Sequence, residues 1–468
     1  MKDINIRLNV KSYLFSLLLT VMIMPSYAAS WLVKTTEGFL AAHKSAQKGD
    51  SVIWQSGTYL DIQIEVEKNG IVFCAENPGS VIFTGNSFLK LKADSVVFSG
   101  FQFKDGKTKN NILDVSGNYN TLENLNFSNF HSHYYLDVKP EAKHNLIIRC
   151  NFEKKPEDIQ SSVVEIEASE AHPGYNVIRY CSFKNHTAPP NAGGDYGIEA
   201  LRIGYSYQSK FISRTLVEYC YFTKCNGDGE IISSKSRENV YRYNTFIDNG
   251  ESHFTLRHGK DNVVYGNFFL GGAGLRIKEG QNQMVYNNYF DTGDRFSIWL
   301  VNHQADPLSH IVIANNTFVS SGSMKLGGEG DSKPQNSILN NNLFVNPTAV
   351  PVSDMTGNEK FINNVVDSDE KYSLPEGFAF AKTGLMQNLN GLFQPGGKKV
   401  TSSLRNIDDC DILDISNIDD DPQISLDIMQ QRRTTSNDCT GCSAGPVGKK
   451  LVFYATEENT GPVYLLIW

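Results

Sequence analysis

From about residue 95 the chain alternates short apolar runs with polar turn residues at a repeating distance. Aligned on a recurrent Phe, the runs read Leu146-Ile147-Ile148-Arg149-Cys150-Asn151-Phe152, Val177-Ile178-Arg179-Tyr180-Cys181-Ser182-Phe183 and Leu216-Val217-Glu218-Tyr219-Cys220-Tyr221-Phe222. They continue through Val240-Tyr241-Arg242-Tyr243-Asn244-Thr245-Phe246, Val263-Val264-Tyr265-Gly266-Asn267-Phe268-Phe269 and Met284-Val285-Tyr286-Asn287-Asn288-Tyr289-Phe290. Later copies end at Phe318 and Phe344, earlier and weaker ones at Phe103 and Phe127. From Phe103 to Phe344 the steps are 24, 25, 31, 39, 24, 23, 21, 28 and 26 residues, a near-constant period with two insertions. A period on this scale is the signature of a solenoid.

The units are rich in Val, Ile, Tyr, Phe and Asn and end in Gly, Asn or Asp, which sets helical repeats aside. Short strands punctuated by turns, one circuit per repeat, predict an all-β fold, a single-stranded parallel β-helix. Side chains alternate along a strand, so each Phe shares a face with the residue two before it. That position reads Cys150, Cys181, Cys220, then Asn244, Asn267, Asn288, Asn316 and Asn342. Stacked coils would bring these into one internal file with the amides bonded to one another. The same file explains three of the eight cysteines as small apolar core residues rather than a disulfide framework. Cys439 and Cys442 are the better candidates for a bonded pair.

The stretch Thr36 to Gln47 is predicted as a short helix capping the open end of the solenoid, where strand edges need cover. Lys2, Arg7 and Lys11 precede an apolar run from Tyr13 to Met24, and Ser26-Tyr27-Ala28 supplies small residues for cleavage, so residues 1–28 read as an export signal. The apolar run is shorter than the roughly 20 residues of a membrane span. The predicted organisation is a signal over 1–28, a β-helix over 29–364, and late irregular coils with a C-terminal cap over 365–468. An exported protein, periplasmic or secreted, with no membrane span after signal removal, is the expectation.

Composition then narrows the chemistry. The formal charge is −8, and losing the signal's three basic and one acidic residue makes it −10. That argues against a nucleic-acid partner, which needs a basic face. An acidic protein can still act on a polyanion through a local cationic patch or a metal.

Polar residues collect where the repeat is interrupted. The 39-residue interval holds Pro189-Pro190-Asn191-Ala192-Gly193-Gly194-Asp195 and then Glu199-Ala200-Leu201-Arg202-Ile203-Gly204. The next coil carries Asp228-Gly229-Glu230-Ile231-Ile232-Ser233-Ser234-Lys235-Ser236, the one after it Thr255-Leu256-Arg257-His258-Gly259. Lys235 and Arg257 are 22 residues apart, so they belong on adjacent coils roughly 4.8 Å apart in backbone. Asp228 and Glu230 share one strand face. On a straight strand Lys235 would point to the opposite face, so a common site requires a bend near Ser233-Ser234. On local sequence alone a surface salt-bridge cluster is the favoured reading.

These stretches, with Glu238-Asn239-Val240-Tyr241 and Asn244-Thr245-Phe246, resemble the signatures of polysaccharide lyase family six, which contains alginate lyases and chondroitinase B. The resemblance covers roughly residues 30 to 350 and implies a right-handed parallel β-helix. It implies an anionic uronate polysaccharide as partner and a Ca²⁺-assisted β-elimination with Lys235 as general base and Arg257 as general acid. A uronate C5 proton is too weakly acidic for an amine unless the adjacent carboxylate is neutralised, which a hard oxygen-liganded cation does. The resemblance places Asp228, usually Glu in the family, and Glu230 as metal carboxylates. The third ligand is Asn191, which keeps its Asn-Ala-Gly-Gly context, or Asp195 or Glu199, because extra residues separate Asn191 from Arg202. His258, Arg276 and Arg202 are candidates for substrate contact, and Trp299 for stacking on a sugar ring or for packing. His131 and His133 are set aside as zinc ligands. Basic residues look sparse along the groove, which favours unsulfated alginate over dermatan sulfate. A catalytically silent carbohydrate-binding solenoid and a carboxylate-based hydrolase are the competing classes.

Overall fold

The computed structural model describes residues 28–301, 308–327, 333–387, 392–395, 426–430, 440–443 and 454–466. Almost every described element is a short strand, and the chain winds as a parallel β-helix. One coil shows the plan. Val240–Arg242 lies in a first sheet, Thr245–Ile247 in a second and His253–Leu256 in a third, after which Val263–Tyr265 returns to the first sheet beside Val240–Arg242. The first and second sheets have fourteen strands each and the third has twelve, paired in parallel throughout.

The predicted files are present. Phe103, Phe127, Phe152, Phe183, Phe222 and Phe246 stack ring on ring along the second sheet, with centroids 4.6 to 5.2 Å apart. The column continues through Phe269, Phe290, Phe318 and Phe344. Cys150, Cys181 and Cys220 are buried free thiols in the turn before the second sheet. Cys220 N–H donates to Asn244 Oδ1 at 2.9 Å, and there the amide ladder begins. Asn244, Asn267, Asn288, Asn316 and Asn342 each donate from Nδ2 to the next Oδ1 at 3.0 Å, ending on Asn364. Stacked amides of this kind satisfy buried polar groups that a turn would otherwise orphan.

The residue just before the ladder is left-handed in every one of these coils, from Tyr219 (φ 53°) and Tyr243 (φ 55°) to Asn287 (φ 55°) and Asn341 (φ 58°). Asn tolerates that conformation better than other side chains. The Asn-Asn doublets of the later coils therefore have two jobs: the first Asn makes the turn and the second joins the ladder.

The helix Thr36–Ser45 caps the first coil as expected. Thr35 accepts from Gly38 N–H at 3.0 Å at its start, and Phe39 packs on Trp54 and Phe73 at the solenoid's end. Residues 1–27, including almost all of the expected signal, lie outside the described residues, as does Cys439. No described helix is long and apolar enough to cross a membrane.

Of residues 365–468, those at 365–387, 392–395, 426–430, 440–443 and 454–466 are described. Coil strands run on to Phe378–Phe380. The described pieces beyond residue 425 lie along the flank: Cys442 N–H donates to Thr317 Oγ1, Gly461 N–H to Tyr180 O, and Val463 N–H to Asn124 Oδ1. Among the described pieces, the one at 440–443 meets a late coil and the one at 454–466 meets earlier ones.

Candidate active site

The third sheet carries the site because its outward positions stack in register. Glu165, Arg202, Ser233, Thr255, Arg276 and Trp299 occupy one outward file, coil after coil. The residue just past each strand forms a second file. Lys235 N–H donates to Ile203 O, Arg257 N–H to Ser234 O and Lys278 N–H to Leu256 O, at 2.8 to 2.9 Å. Lys235 and Arg257 therefore stand side by side, as their spacing predicts. Gly204 precedes them in this file at φ 80° and Gly259 turns the chain after His258 at φ 77°, where a Cβ would come within 2.2 Å of Ser236 O. The Gly of each motif is thus a backbone requirement.

The bend that lets Glu230 share a face with Lys235 is real but sits two residues earlier than expected. Glu230 pairs with His253 and Ile232 with Phe254, so Ile231 is the extra residue of a bulge. Bulges re-aim side chains next to active sites. Here both Ile231 and Ile232 enter the core, while Glu230, Ser233 and Lys235 face outward together.

Glu230 is the electrostatic hub, with its side chain 2% exposed. Its Oε1 accepts from Arg257 Nη1 at 2.7 Å and from Arg276 Nη2 at 2.8 Å, and its Oε2 accepts from Ser233 Oγ. Burial alone would raise its pKa, but Arg257 and Arg276 outweigh that and hold the carboxyl below its ordinary value. Asp228 has no such cation and is pushed up to about 7 by burial and by the charge of Glu199. Glu199, Asp228 and Glu230 place ligand oxygens within 4.8 Å of one another. Glu199 Oε2 is buried without a hydrogen-bond partner. Three crowded carboxylates with an orphaned oxygen suit a hard cation, so the donor set fits Ca²⁺. Of the three candidates for the last ligand, Glu199 is buried in this cluster, whereas Asn191 and Asp195 are exposed in the preceding loop.

Lys235 has no carboxylate within 4.0 Å among the described residues, and burial lowers its amine pKa, with Arg202 and Arg257 adding to the shift and Glu199 and Glu230 opposing it. Arg257 is held more strongly charged by Glu230, against the cost of burial. His258 Nδ1 meets Glu279 Oε2 at 2.7 Å, and burial keeps its pKa below the usual value. Arg202 donates from Nε to Glu165 Oε2 at 2.6 Å and from Nη2 to Tyr134 Oη at 2.8 Å, and stacks 4.7 Å over the Tyr205 ring. Trp299 is flanked by the Arg276 guanidinium at 6.0 Å and the Lys325 ammonium at 4.9 Å. His131 pairs with Asp158 at 3.3 Å rather than with His133.

Sequence reasoning missed Lys278, Lys325, Tyr134, Tyr205 and Glu279. Lys278 carried a usable signal, since it follows Arg257 by 21 residues, about the step from Lys235 to Arg257. The groove is consequently less sparse in cations than the motifs suggest.

The family model described as Chondroitinase B matches residues 33–412. The chain belongs to this family, polysaccharide lyase family six. No curated protein matches it. Among solved structures it is similar to the family-six alginate lyase AlyGC, at 29% identity and a TM-score of 0.72 over 79% of this chain and 56% of that one. The chain thus spans little more than half of AlyGC. A mannuronic-acid-specific family-six lyase from human gut microbiota shares the fold at 24% identity and a TM-score of 0.65, over 76% of this chain and 91% of that one. So does alginate lyase AlyF-OU02 in complex with G6, at 18% identity and a TM-score of 0.61, over 81% of this chain and 93% of that one.

Proposed function

We propose that the protein is an exported lyase that cleaves alginate by β-elimination and leaves 4,5-unsaturated uronate ends. The observation carrying this reading is the adjacency of Lys235 and Arg257 beside the Glu199, Asp228 and Glu230 cluster. The amine of Lys235 is unpaired by carboxylate and its pKa is lowered, which suits a group that must take a proton near neutral pH. It removes the C5 proton of the uronate; the C4–O4 bond breaks, the C4=C5 bond forms, and O4 leaves with a proton. Arg257, charged beside Glu230, stabilises the carboxylate as negative charge develops and gives a proton to O4, regaining one from solvent when the product leaves. Glu199, Asp228 and Glu230 would hold Ca²⁺, which when bound neutralises the sugar carboxylate and makes C5–H more acidic. Arg276, beside Arg257, is placed to orient a sugar carboxylate, whereas Arg202 is held by Glu165; His258, fixed by Glu279, lies next to Arg257.

Alginate is favoured as substrate by the likeness to AlyGC at 29% identity. The family's name and the added cations Lys278 and Lys325 favour a second reading, dermatan sulfate. Incubation with polymannuronate, polyguluronate and dermatan sulfate, followed by alkene absorbance in the ultraviolet, separates the two. Absorbance on alginate that disappears in Lys235→Ala, with circular dichroism unchanged, supports the proposal; loss of a general base costs roughly 10²- to 10⁴-fold. Silence on every alginate block type, or saturated product ends, refutes it.

A further inference from the structure

The two halves of the third sheet on either side of Lys235 are chemically unlike. Towards the early coils the outward file presents Glu165 and Asp137, and the cations there are already taken: Arg202 by Glu165, Lys139 by Asp137 and Asp114. Glu165 and Asp137 are themselves buried, so that half presents a polyanion with paired charges and leaves neither Arg202 nor Lys139 without a carboxylate. Towards the later coils the balance reverses. Lys278 follows Arg257 in the catalytic file, outward-facing and half-buried, with no carboxylate within 4.0 Å among the described residues. Its cationic neighbours Arg257 and Arg276 share the single carboxylate of Glu230. Three cations this close repel one another; Glu230 and Asp195 oppose that repulsion from a distance but do not pair with Lys278. An anionic ligand would. Burial chiefly, with the two arginines, lowers the Lys278 pKa, and Glu230 and Asp195 only partly oppose this. One coil beyond Arg276 stands Trp299, and the Lys325 ammonium, which pairs with Asp354 at 3.8 Å, lies 4.9 Å from its ring and 5.2 Å from that of Phe296. An aromatic face rimmed by cations suits a sugar ring that carries a carboxylate.

We propose that the uronate chain binds asymmetrically, extending from Lys235 over the later coils, and that Lys278 is a specificity-determining residue that holds the carboxylate of the neighbouring sugar. The proposal rests on the reading of the protein as a uronate lyase and adds the direction of the chain. It has a consequence for products: with few sugars accommodated over Asp137 and Glu165, cleavage falls close to one end of the bound chain.

The test compares wild type with Lys278→Gln and Lys278→Arg on alginate and on an end-labelled uronate oligosaccharide. Loss of one charge-assisted contact is expected to raise KM roughly tenfold in Lys278→Gln with kcat nearly unchanged, to flatten the salt dependence of kcat/KM, and to be largely restored in Lys278→Arg. In a Lys235→Ala background, calorimetry should show the same loss of affinity for the oligosaccharide without turnover. The labelled chain should be cut near one end. An unchanged KM and affinity in Lys278→Gln, a fall confined to kcat, or even cleavage at all interior bonds would overturn the proposal. Absence of alkene from wild type would instead refute the lyase reading itself.

Discussion

Glu230 and Arg276 meet at 2.8 Å although they lie 46 residues apart, because two turns of the solenoid return the chain to the same outward face. Arg257, from the coil between them, binds the same Glu230 oxygen. One nearly buried carboxylate therefore orders two guanidinium groups. Replacing it by Glu230→Gln strands two partly buried cations, and breaking a buried pair from one side costs about 3 kcal/mol or more. A lowered urea midpoint together with lost turnover is the expected result. A change below about 1 kcal/mol would reduce the cluster to ordinary surface pairs.

Calcium should raise the melting temperature of wild type by mass action on the folded state, and chelation should reverse this and stop turnover. Glu199→Gln is expected to abolish the thermal shift and the calorimetric binding of calcium, while Asn191→Ala retains both. The opposite pattern would return the third ligand to the exposed loop.

His186 provides a separate test of stability against pH. It is fully buried, Nδ1 accepts from Lys155 N–H at 3.3 Å and Nε2 faces Phe152 O at 3.0 Å, so the ring is held neutral. Burial chiefly, with nearby Lys155, pushes its pKa down to about 3. Between that value and roughly 6.5 the unfolded chain binds the extra proton, so stability rises with pH across this window. The contribution is complete above about 6.5 and is lost as pH falls towards 3. His186→Gln should flatten this acid limb in denaturant titrations. An acid limb identical to wild type would show that the ring titrates freely.

The amide ladder should be costly to interrupt. Asn288 donates to Asn316 Oδ1, Val264 O and Tyr286 O and accepts from Asn267. Asn288→Ala leaves several buried partners unmatched, at about 1 to 3 kcal/mol for each orphaned group. Chemical denaturation should read a loss well above the roughly 0.5 kcal/mol of a surface change.

What the sequence displayed was what it repeats. The Phe column recurs from Phe103 to Phe344 and the Asn ladder from Asn244 onwards, so alignment of the chain with itself exposes both, and the adjacency of Lys235 and Arg257 follows from the same period. The misplaced details are single events. Nothing in Ile231-Ile232 distinguishes a bulge from two ordinary core residues until the next strand pairs with them. The insertion between Asn191 and Glu199 breaks the counting that would align a third ligand. Tyr134 reaches Arg202 from 68 residues away across that same insertion, where no period connects them. Lys278 was within reach of the period but belongs to no motif.

The tail along the flank alters how the molecule comes apart. In a repeat array each coil is stabilised mainly by its neighbours, so unfolding can fray from either end. Here Val463 bonds to Asn124 across 339 residues of chain, while Cys442 holds to Thr317. Unzipping the late coils would pull on a strap anchored near the early ones. Early and late coils are thereby joined in one cooperative unit, and loss of either contact would let the late coils open separately from the early ones.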